Sequence, residues 1–335
     1  MIRILAVQLK RLGDLVLTTA ALRSLRRAYP DARLTVVVAE YAADLAPALV
    51  GVDEILVHRP GRSARFWARL LARRFDASLD FTGTDRSALV SLLSKAPRRV
   101  GLRPQGRRPF RRWAYNVQGS APVRDVHTLD LYLNLVRRLQ PAAQPAEPFL
   151  ELPAATLASA IRIVQELGME TGYFVVQAGS ARSEKLWVPE RWAEVIRHAI
   201  ATSGCKCLLT GSGHPMEAEH VEAITRTLGP TVAWVNLAGK TDFLLTCALI
   251  QGAQFFLGVD SVAAHVAAVF QRPELVLFGP TNPFHWRPRH QGGRVVRAGF
   301  GPEYRPCAPV EKGSPMRELS TGTVIRAMEN LRGRP

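Results

Sequence analysis

Cysteine and long apolar runs are both scarce in this sequence. Only four of the 335 residues are cysteine, and no pair of CxxC motifs occurs. We therefore expect neither a disulfide framework nor a structural zinc site. No apolar run reaches the roughly 18 to 20 residues that a membrane-spanning helix needs. The apolar start of MIRILAVQLKRLGD is too short for a signal peptide, so we expect a cytoplasmic protein.

Acidic residues are also in short supply. Asp and Glu number 28 against 44 Lys and Arg, which gives a formal net charge of +16. Arginine is concentrated in residues 62–74 and 98–112. Such segments favour nucleic acid, anionic lipid or a phosphorylated substrate as partner, although solvated arginine-rich faces would have the same composition. Two prolines in RPQGRRPFRRW, residues 103–113, predict an exposed loop rather than a helix.

Short apolar segments alternate with amphipathic segments along the whole chain. Residues 2–7, 34–39 and 255–259 have the length of strands, and a segment with helical spacing follows each of them. Strands that alternate with helices of this length predict βαβ units and parallel sheets. The sequence therefore predicts an α/β fold.

The density of proline divides the chain in two. Residues 140–153, QPAAQPAEPFLELP, contain four prolines and predict a linker. We expect two doubly wound, Rossmann-like domains, 1–145 and 153–318, that face a central cleft. The last segment, 319–335, contains a predicted helix that we expect to pack back on the first domain.

Two common nucleotide-binding motifs are missing. No GxGxxG follows the first predicted strand, which disfavours a dinucleotide oxidoreductase, and no GxxxxGK[ST] occurs. The loop KRLGD, residues 10–14, instead joins that strand to the first helix. Ligands of open α/β sheets bind at the carboxyl ends of strands, so Asp14 is a candidate general base. The alternative is that Asp14 only caps the helix.

Two later loops follow strands in the same way. Residues 177–187, QAGSARSEKLW, bring small residues and Lys185 to the start of a helix, where backbone N–H groups and an ammonium can hold a phosphate. Residues 258–265, GVDSVAAH, place Asp260 and Ser261 at another helix start, with a histidine one turn later. The alternatives are a surface lysine, a capping serine and a buried, hydrogen-bonded histidine.

Five segments of the chain, taken in order, are similar to those of a known family. They are KRLGDLVLTTAALRSLR, GSARSEKLWVPERWAEVI, LLTGSGHPMEAE, LAGKTDFLLTCALIQGAQFFLGVDSVAAHVAA and LFGPTNPFHWRP. With them the chain resembles the heptosyltransferases of glycosyltransferase family 9, which add heptose to the inner core of lipopolysaccharide. The resemblance covers nearly the whole chain. It implies a GT-B fold, an acceptor-binding first domain and a nucleotide-sugar-binding second domain.

The resemblance also implies roles for individual residues. Asp14 matches the catalytic aspartate of the family. The residues that match its donor-binding positions are Ser180, Lys185, Glu217, Asp260, Ser261, Val262 and His265. The residues that we expect to bind the anionic acceptor are Lys10, Arg11, Arg62, Arg103, Arg107 and Arg108.

The reaction that the resemblance implies is an inverting transfer from ADP-heptose, with no cofactor and no obligate metal. Because the acceptor is built on lipid A, we expect peripheral contact with the inner leaflet of the cytoplasmic membrane. The chain departs from the family at Gln177-Ala178, where His-Pro is common, and at Val262, where one branch has glycine. A GT-B transferase that uses another nucleotide sugar for a surface glycan is the first alternative. A nucleic-acid-binding protein is disfavoured because the chain lacks the motifs of such proteins.

Overall fold

A computed structural model describes most of the chain. The described residues are 1–61, 63–102, 108–119, 125–230, 233–299, 304–305 and 313–332. The chain divides into two units, Met1–Glu151 and Leu152–Pro335. Three of the expected acceptor residues, Arg62, Arg103 and Arg107, lie outside the described residues.

The first unit is built on a parallel sheet that has six strands in its described part. The strands are β1 (Arg3–Gln8), β2 (Arg33–Ala39), β3 (Glu54–His58), β4 (Ala77–Asp80), β5 (Arg98–Gly101) and β6 (Val117–Gln118). Their order across the sheet is β3-β2-β1-β4-β5-β6. The helices are α1 (Leu12–Ala28), α2 (Ala64–Leu71), α3 (Asp85–Leu93), α4 (Pro109–Ala114) and α5 (Thr128–Leu139), and Glu40–Ala48 is a 3₁₀ helix.

The second unit has a parallel sheet of the same plan among its described residues. Its strands are β7 (Tyr173–Gln177), β8 (Lys206–Leu209), β9 (Trp234–Asn236), β10 (Phe256–Val259), β11 (Glu274–Phe278) and β12 (Gly293–Arg297), in the order β12-β11-β10-β7-β8-β9. The α-helices are α6 (Ala154–Glu166), α7 (Pro189–Ser203), α8 (Pro215–Leu228), α9 (Phe243–Gly252), α10 (Val262–Val269), α11 (Pro283–Trp286) and α12 (Thr321–Arg332). Short 3₁₀ helices span Ser183–Lys185 and Met316–Glu318. None of the described helices is long and apolar enough to cross a membrane.

In both sheets the strands are all parallel, but the side on which the chain adds each new strand changes between two central strands. These strands are β1 and β4 in the first unit and β7 and β10 in the second. Numbered from its own first strand, each sheet has the order 3-2-1-4-5-6, which is the Rossmann order. Val7 of β1 lies opposite Asp80 of β4, and Gln177 of β7 lies opposite Gly258 of β10. The loops that follow such strands diverge and leave a crevice at their carboxyl ends. The predicted α/β class with two Rossmann-like units is confirmed.

The central strands are apolar because helices cover both faces of each sheet. Leu5 and Val7 of β1 are buried with Phe66 and Leu70 of α2 on one side of the first sheet. Burial of each such side chain contributes roughly 1.5–3 kcal/mol. The core therefore fixes the position at which β1 ends and the next loop begins.

The last helix, α12, belongs to the core of the second unit. Val324, Met328 and Leu331 lie on one helical face and are buried in the same cluster as Trp192 of α7. This packing corrects our expectation that residues 319–335 return to the first domain. An amphipathic pattern predicts that a helix buries one face, but it does not predict which core receives that face.

The proline-rich segment 140–153 is packed rather than free. Leu150 is buried, the Phe149 N–H donates to Thr19 Oγ1 at 3.0 Å, and the Glu151 N–H donates to a backbone carbonyl of the first unit. The chain follows the first unit up to Glu151, and the division between the units falls inside the proline-rich segment.

Residues 109–114 form α4 where the sequence predicted a loop. Pro109 stands at the start of this helix, where its fixed φ and missing N–H are tolerated. The expected exposure is present, because Trp113 is 67% and Phe110 is 36% exposed. Residues 103–107 of the same predicted loop lie outside the described residues.

Candidate functional site

The first polar site lies just beyond the carboxyl end of β1. Asp14 is the third residue of α1, and Arg11 stands at the N-cap. The Asp14 carboxylate accepts a hydrogen bond from the Tyr132 hydroxyl, with 2.6 Å between Oη and Oδ1. Among the described residues it accepts none from a helix N–H, so the capping alternative is wrong. The first turn of α1 still favours its negative charge.

Tyr132 is a site residue that the sequence analysis missed. It lies in α5, is fully buried, and packs edge-on against Phe81 with 5.5 Å between ring centroids. Burial, with the nearby Asp14 carboxylate second, raises the pKa of Tyr132 well above its ordinary value, so the hydroxyl keeps its proton and donates. The sequence marks Tyr132 only as a residue with a polar hydroxyl on the apolar stripe of α5, and this pattern does not identify its partner.

The loop that carries Asp14 is held by hydrogen bonds to neighbouring side chains. The Leu9 N–H donates to Thr82 Oγ1 at 2.7 Å, and the Lys10 N–H donates to Gln8 Oε1 at 3.2 Å. The Tyr41 hydroxyl donates to the Leu9 carbonyl at 3.0 Å. Of the expected acceptor residues, Lys10 and Arg11 therefore lie in an ordered loop that leads into Asp14, and Arg11 is exposed.

Asp80, at the end of β4, is a buried carboxyl group that the sequence analysis missed. The N–H groups of Thr82 and Gly83 donate to Oδ1 at 2.7 and 3.2 Å, and the Tyr115 hydroxyl donates to Oδ2. Burial raises the pKa of Asp80 despite these donors. Asp80 is fully enclosed. Its hydrogen bonds shape the turn that carries Thr82, which in turn holds Leu9.

In the second unit, Lys185 and Asp260 meet where β7 and β10 end. Lys185 Nζ lies 2.5 Å from Asp260 Oδ2 and 3.0 Å from the Asp260 carbonyl oxygen. The side chains are only 12% and 8% exposed. Lys185 is therefore not a surface lysine, and a buried cation is fixed beside the start of α10.

Glu217 is held in a buried hydrogen-bond network at the ends of β7 and β8. Gln177 Nε2 donates to Glu217 Oε1 at 2.6 Å, and the Ser212 hydroxyl donates to Oε2. The Thr210 hydroxyl donates to Gln177 Oε1 at 2.9 Å, which fixes the orientation of the amide. A Cβ at Gly179 would lie 2.1 Å from Glu217 Cγ, so only glycine permits this approach.

The start of α10 presents hydrogen-bonding groups that no bond within the helix uses. Ser261 occupies the N-cap, but its side chain makes no capping bond. Its Oγ is buried and has no partner among the described residues. Val262 is the first residue of the helix, and the N–H groups of a first helical turn have no partner within the helix. Ser180 and His265 are both buried, at 8% and 7% exposure.

The two sites differ in the chemistry that they offer. The first presents a carboxylate that can accept a proton. The second presents an ammonium group and a helix start, which together suit an anion such as a phosphate. Among the described residues, no three His, Cys, Asp or Glu side chains are grouped as a metal site needs.

Comparison with known proteins identifies the family. Residues 63–309 match the family model for glycosyltransferase family 9 (heptosyltransferase). The chain belongs to this family. It is 27% identical over 289 residues to lipopolysaccharide heptosyltransferase 3 of Escherichia coli K12, covering 82% of each chain. It is 25% identical over 323 residues to lipopolysaccharide core heptosyltransferase OpsX of Haemophilus influenzae, covering 96% of this chain and 90% of that one.

Two solved structures support the fold of this transferase. The glycosyl transferase family 9 structure from Veillonella parvula superposes with a TM-score of 0.85 at 23% identity, covering 98% of this chain and 96% of that one. The structure of Escherichia coli ADP-heptose LPS heptosyltransferase II gives a TM-score of 0.78 at 22% identity, over 98% of both chains. The fold is therefore of the GT-B type, as the resemblance implied.

The structure brings together several of the residues that the sequence singled out in this transferase. Lys185 contacts Asp260, and Ser261 follows Asp260 at the helix start. Glu217 belongs to the neighbouring Gln177 network. In the first unit, Arg108 is exposed and directly precedes α4. The individual roles of all these residues remain predictions.

Replacement of Asp80 by Asn should change how the stability of this transferase depends on pH. Because burial raises the pKa of Asp80, the folded state binds its proton more tightly than the unfolded state. Stability from this group therefore falls as pH rises above about 4, where an unfolded aspartate ionises. The free energy of unfolding of the wild type, minus that of D80N, should decrease between about pH 4.5 and about pH 7 in urea titrations.

The matched control for this pH experiment is Asp85→Asn. Asp85 is exposed, and its hydrogen bond with Arg111 lowers its pKa. It therefore titrates below the range measured, and its difference from the wild type should stay flat. A difference for D80N that stays flat or increases with pH would contradict the assignment of Asp80.

Proposed function

We propose that this chain transfers heptose from ADP-heptose to the inner core of lipopolysaccharide, with inversion at the anomeric carbon. The observation that carries the proposal is the buried Lys185–Asp260 pair beside the Ser261 hydroxyl at the start of α10, which has no partner in the part of the chain that the structure describes. Such a group of donors suits the diphosphate of a nucleotide sugar. The names of the relatives supply heptose and lipopolysaccharide.

Binding of the donor follows from the second site. As the sugar leaves, negative charge develops on the diphosphate oxygen. Lys185 and the N–H groups of the first turn of α10 would stabilise that charge, and stabilisation of this kind often contributes more to catalysis than any other effect. The family positions Ser180, Glu217 and His265 add contacts to the donor in this proposal. Glu217 suits hydroxyl groups such as those of ribose, because a fixed carboxylate accepts their hydrogen bonds.

Activation of the acceptor falls to Asp14. Its carboxylate would take the proton of the acceptor hydroxyl while that oxygen attacks the anomeric carbon from the face opposite the diphosphate. One displacement inverts the configuration. A second carboxylate is not required, because a diphosphate leaves without protonation, unlike the leaving group of a glycosidase. The proposed reaction requires Asp14 to reach the sugar bound by the second unit, and it includes no cofactor or metal.

Transfer of another sugar is the second candidate. It is favoured by Gln177, which replaces the histidine common in the family and holds Glu217 directly. Both candidates share the same base and the same anion site. They differ in which nucleotide sugar supports transfer, so transfer is measured with ADP-heptose and with a panel of other nucleotide sugars.

Asp14→Ala should abolish transfer and leave donor binding intact. Loss of a general base costs roughly 10² to 10⁴ in rate, whereas the diphosphate contacts lie in the other unit. Lys185→Ala should instead weaken donor binding by about 10- to 100-fold, because a hydrogen bond to a charged group is lost. Transfer is followed by mass spectrometry with truncated cores, and donor binding by calorimetry. Near-wild-type transfer by Asp14→Ala would contradict the proposal.

The same proposal includes peripheral contact with an anionic membrane that holds the acceptor. α4 presents Trp113 and Phe110 beside the exposed Arg108 and Arg112. Tryptophan favours the headgroup region, and each nearby Arg contributes about 1 kcal/mol at an anionic surface. In the other basic segment, Arg69 and Arg73 form ion pairs with Glu54. The surface of α4 is therefore the better candidate for this contact.

Trp113→Ala should weaken binding to vesicles that contain anionic lipid, and raised salt should weaken binding of the wild type. Trp286→Ala is the matched control, because Trp286 is 36% exposed and lies in the second unit. Binding is measured by vesicle sedimentation at low and high ionic strength. Equal binding by both variants and no effect of salt would contradict the membrane contact.

A further inference from the structure

Tyr132 is hydrogen-bonded to only one of the two carboxylate oxygens of Asp14. Oδ1 accepts the Tyr132 hydroxyl at 2.6 Å. The hydrogen bonds of the described residues include none to Oδ2. The carboxylate is half-buried in the first turn of α1. Oδ1 is therefore hydrogen-bonded to the protein, and Oδ2 can accept a hydrogen bond from a bound group.

Tyr132 is well placed to hold that oxygen still. It is fully buried, and its ring packs edge-on against Phe81, the residue that follows β4. Its neighbours Leu129 and Leu133 bury against Ala20 of α1, the helix that carries Asp14. The hydroxyl is thus fixed by packing against the same helix whose side chain it holds.

We propose that Tyr132 is a positioning residue that fixes Asp14 Oδ1 so that Oδ2 faces the acceptor hydroxyl. The inference rests on the proposed role of Asp14 as the general base. An aspartate near the surface can otherwise occupy several rotamers. The high pKa that burial gives Tyr132 keeps its proton available for this bond at any working pH. A geometric error of about 1 Å at a reacting group can cost about 10²-fold in rate.

The test is Tyr132→Phe, which keeps the ring and its packing and removes only the hydroxyl. We expect kcat for transfer to fall about 10- to 100-fold while KM for donor and acceptor changes by less than about threefold. The matched control is Tyr173→Phe. Tyr173 is also buried, and its hydroxyl donates to the Leu249 carbonyl at 2.7 Å in the second unit. This control should have near-wild-type kcat, and the unfolding midpoint of each variant is recorded alongside.

A double-mutant cycle separates positioning from general support of the fold. In an Asp14→Asn background, where there is no base to position, Tyr132→Phe should lower the residual kcat by less than about twofold. An equal loss in both backgrounds would overturn the positioning role. A kcat for Tyr132→Phe close to that of Tyr173→Phe, with Asp14→Ala inactive, would also overturn it and leave the proposed function standing. Retained transfer by Asp14→Ala would overturn the proposed function itself, and the positioning role with it.

Discussion

The buried polar groups of both sites lie at the carboxyl ends of two central strands, where the chain diverges. Elsewhere helices cover both faces, and a buried polar group without a partner costs free energy. At the divergence the loops part and leave room for hydrogen-bonded groups. Both units use the same residue types there. A glutamine ends the first strand of each unit, at Gln8 and Gln177, and an aspartate ends or follows the fourth, at Asp80 and Asp260.

The two units differ in the groups to which these residues are hydrogen-bonded. In the first unit both carboxylate oxygens of Asp80 accept hydrogen bonds, from backbone N–H groups and from the Tyr115 hydroxyl. Asp80 therefore shapes a turn, and Asp14 is the accessible carboxylate of this site. In the second unit Asp260 fixes Lys185, so the corresponding position organises a cation. In the proposed function, one topology thus supplies a proton acceptor in one unit and an anion site in the other. We propose that a transferase needs both for a displacement at an activated sugar.

The sequence predicted the parts of this arrangement that local pattern determines. Loops after apolar strands pointed to Asp14, Lys185 and Asp260. Tyr132 was not predicted, because it lies 118 residues from Asp14 and only the packing of α5 on α1 brings the two together. For the same reason the sequence did not predict that α12 packs in the core of the second unit. Packing between segments that are far apart in sequence determines which residues become partners, and the amphipathic pattern of one helix does not carry that information.

The central claim is that one carboxylate and one anion site perform a direct displacement. The most direct test is the anomeric configuration of the transferred sugar, read from the one-bond carbon–proton coupling at the anomeric carbon by NMR. The account predicts a configuration opposite to that of the nucleotide sugar. A product with the donor's configuration would contradict it, because retention requires either two successive displacements or attack from the same face as the leaving diphosphate, and a single displacement from the opposite face is neither.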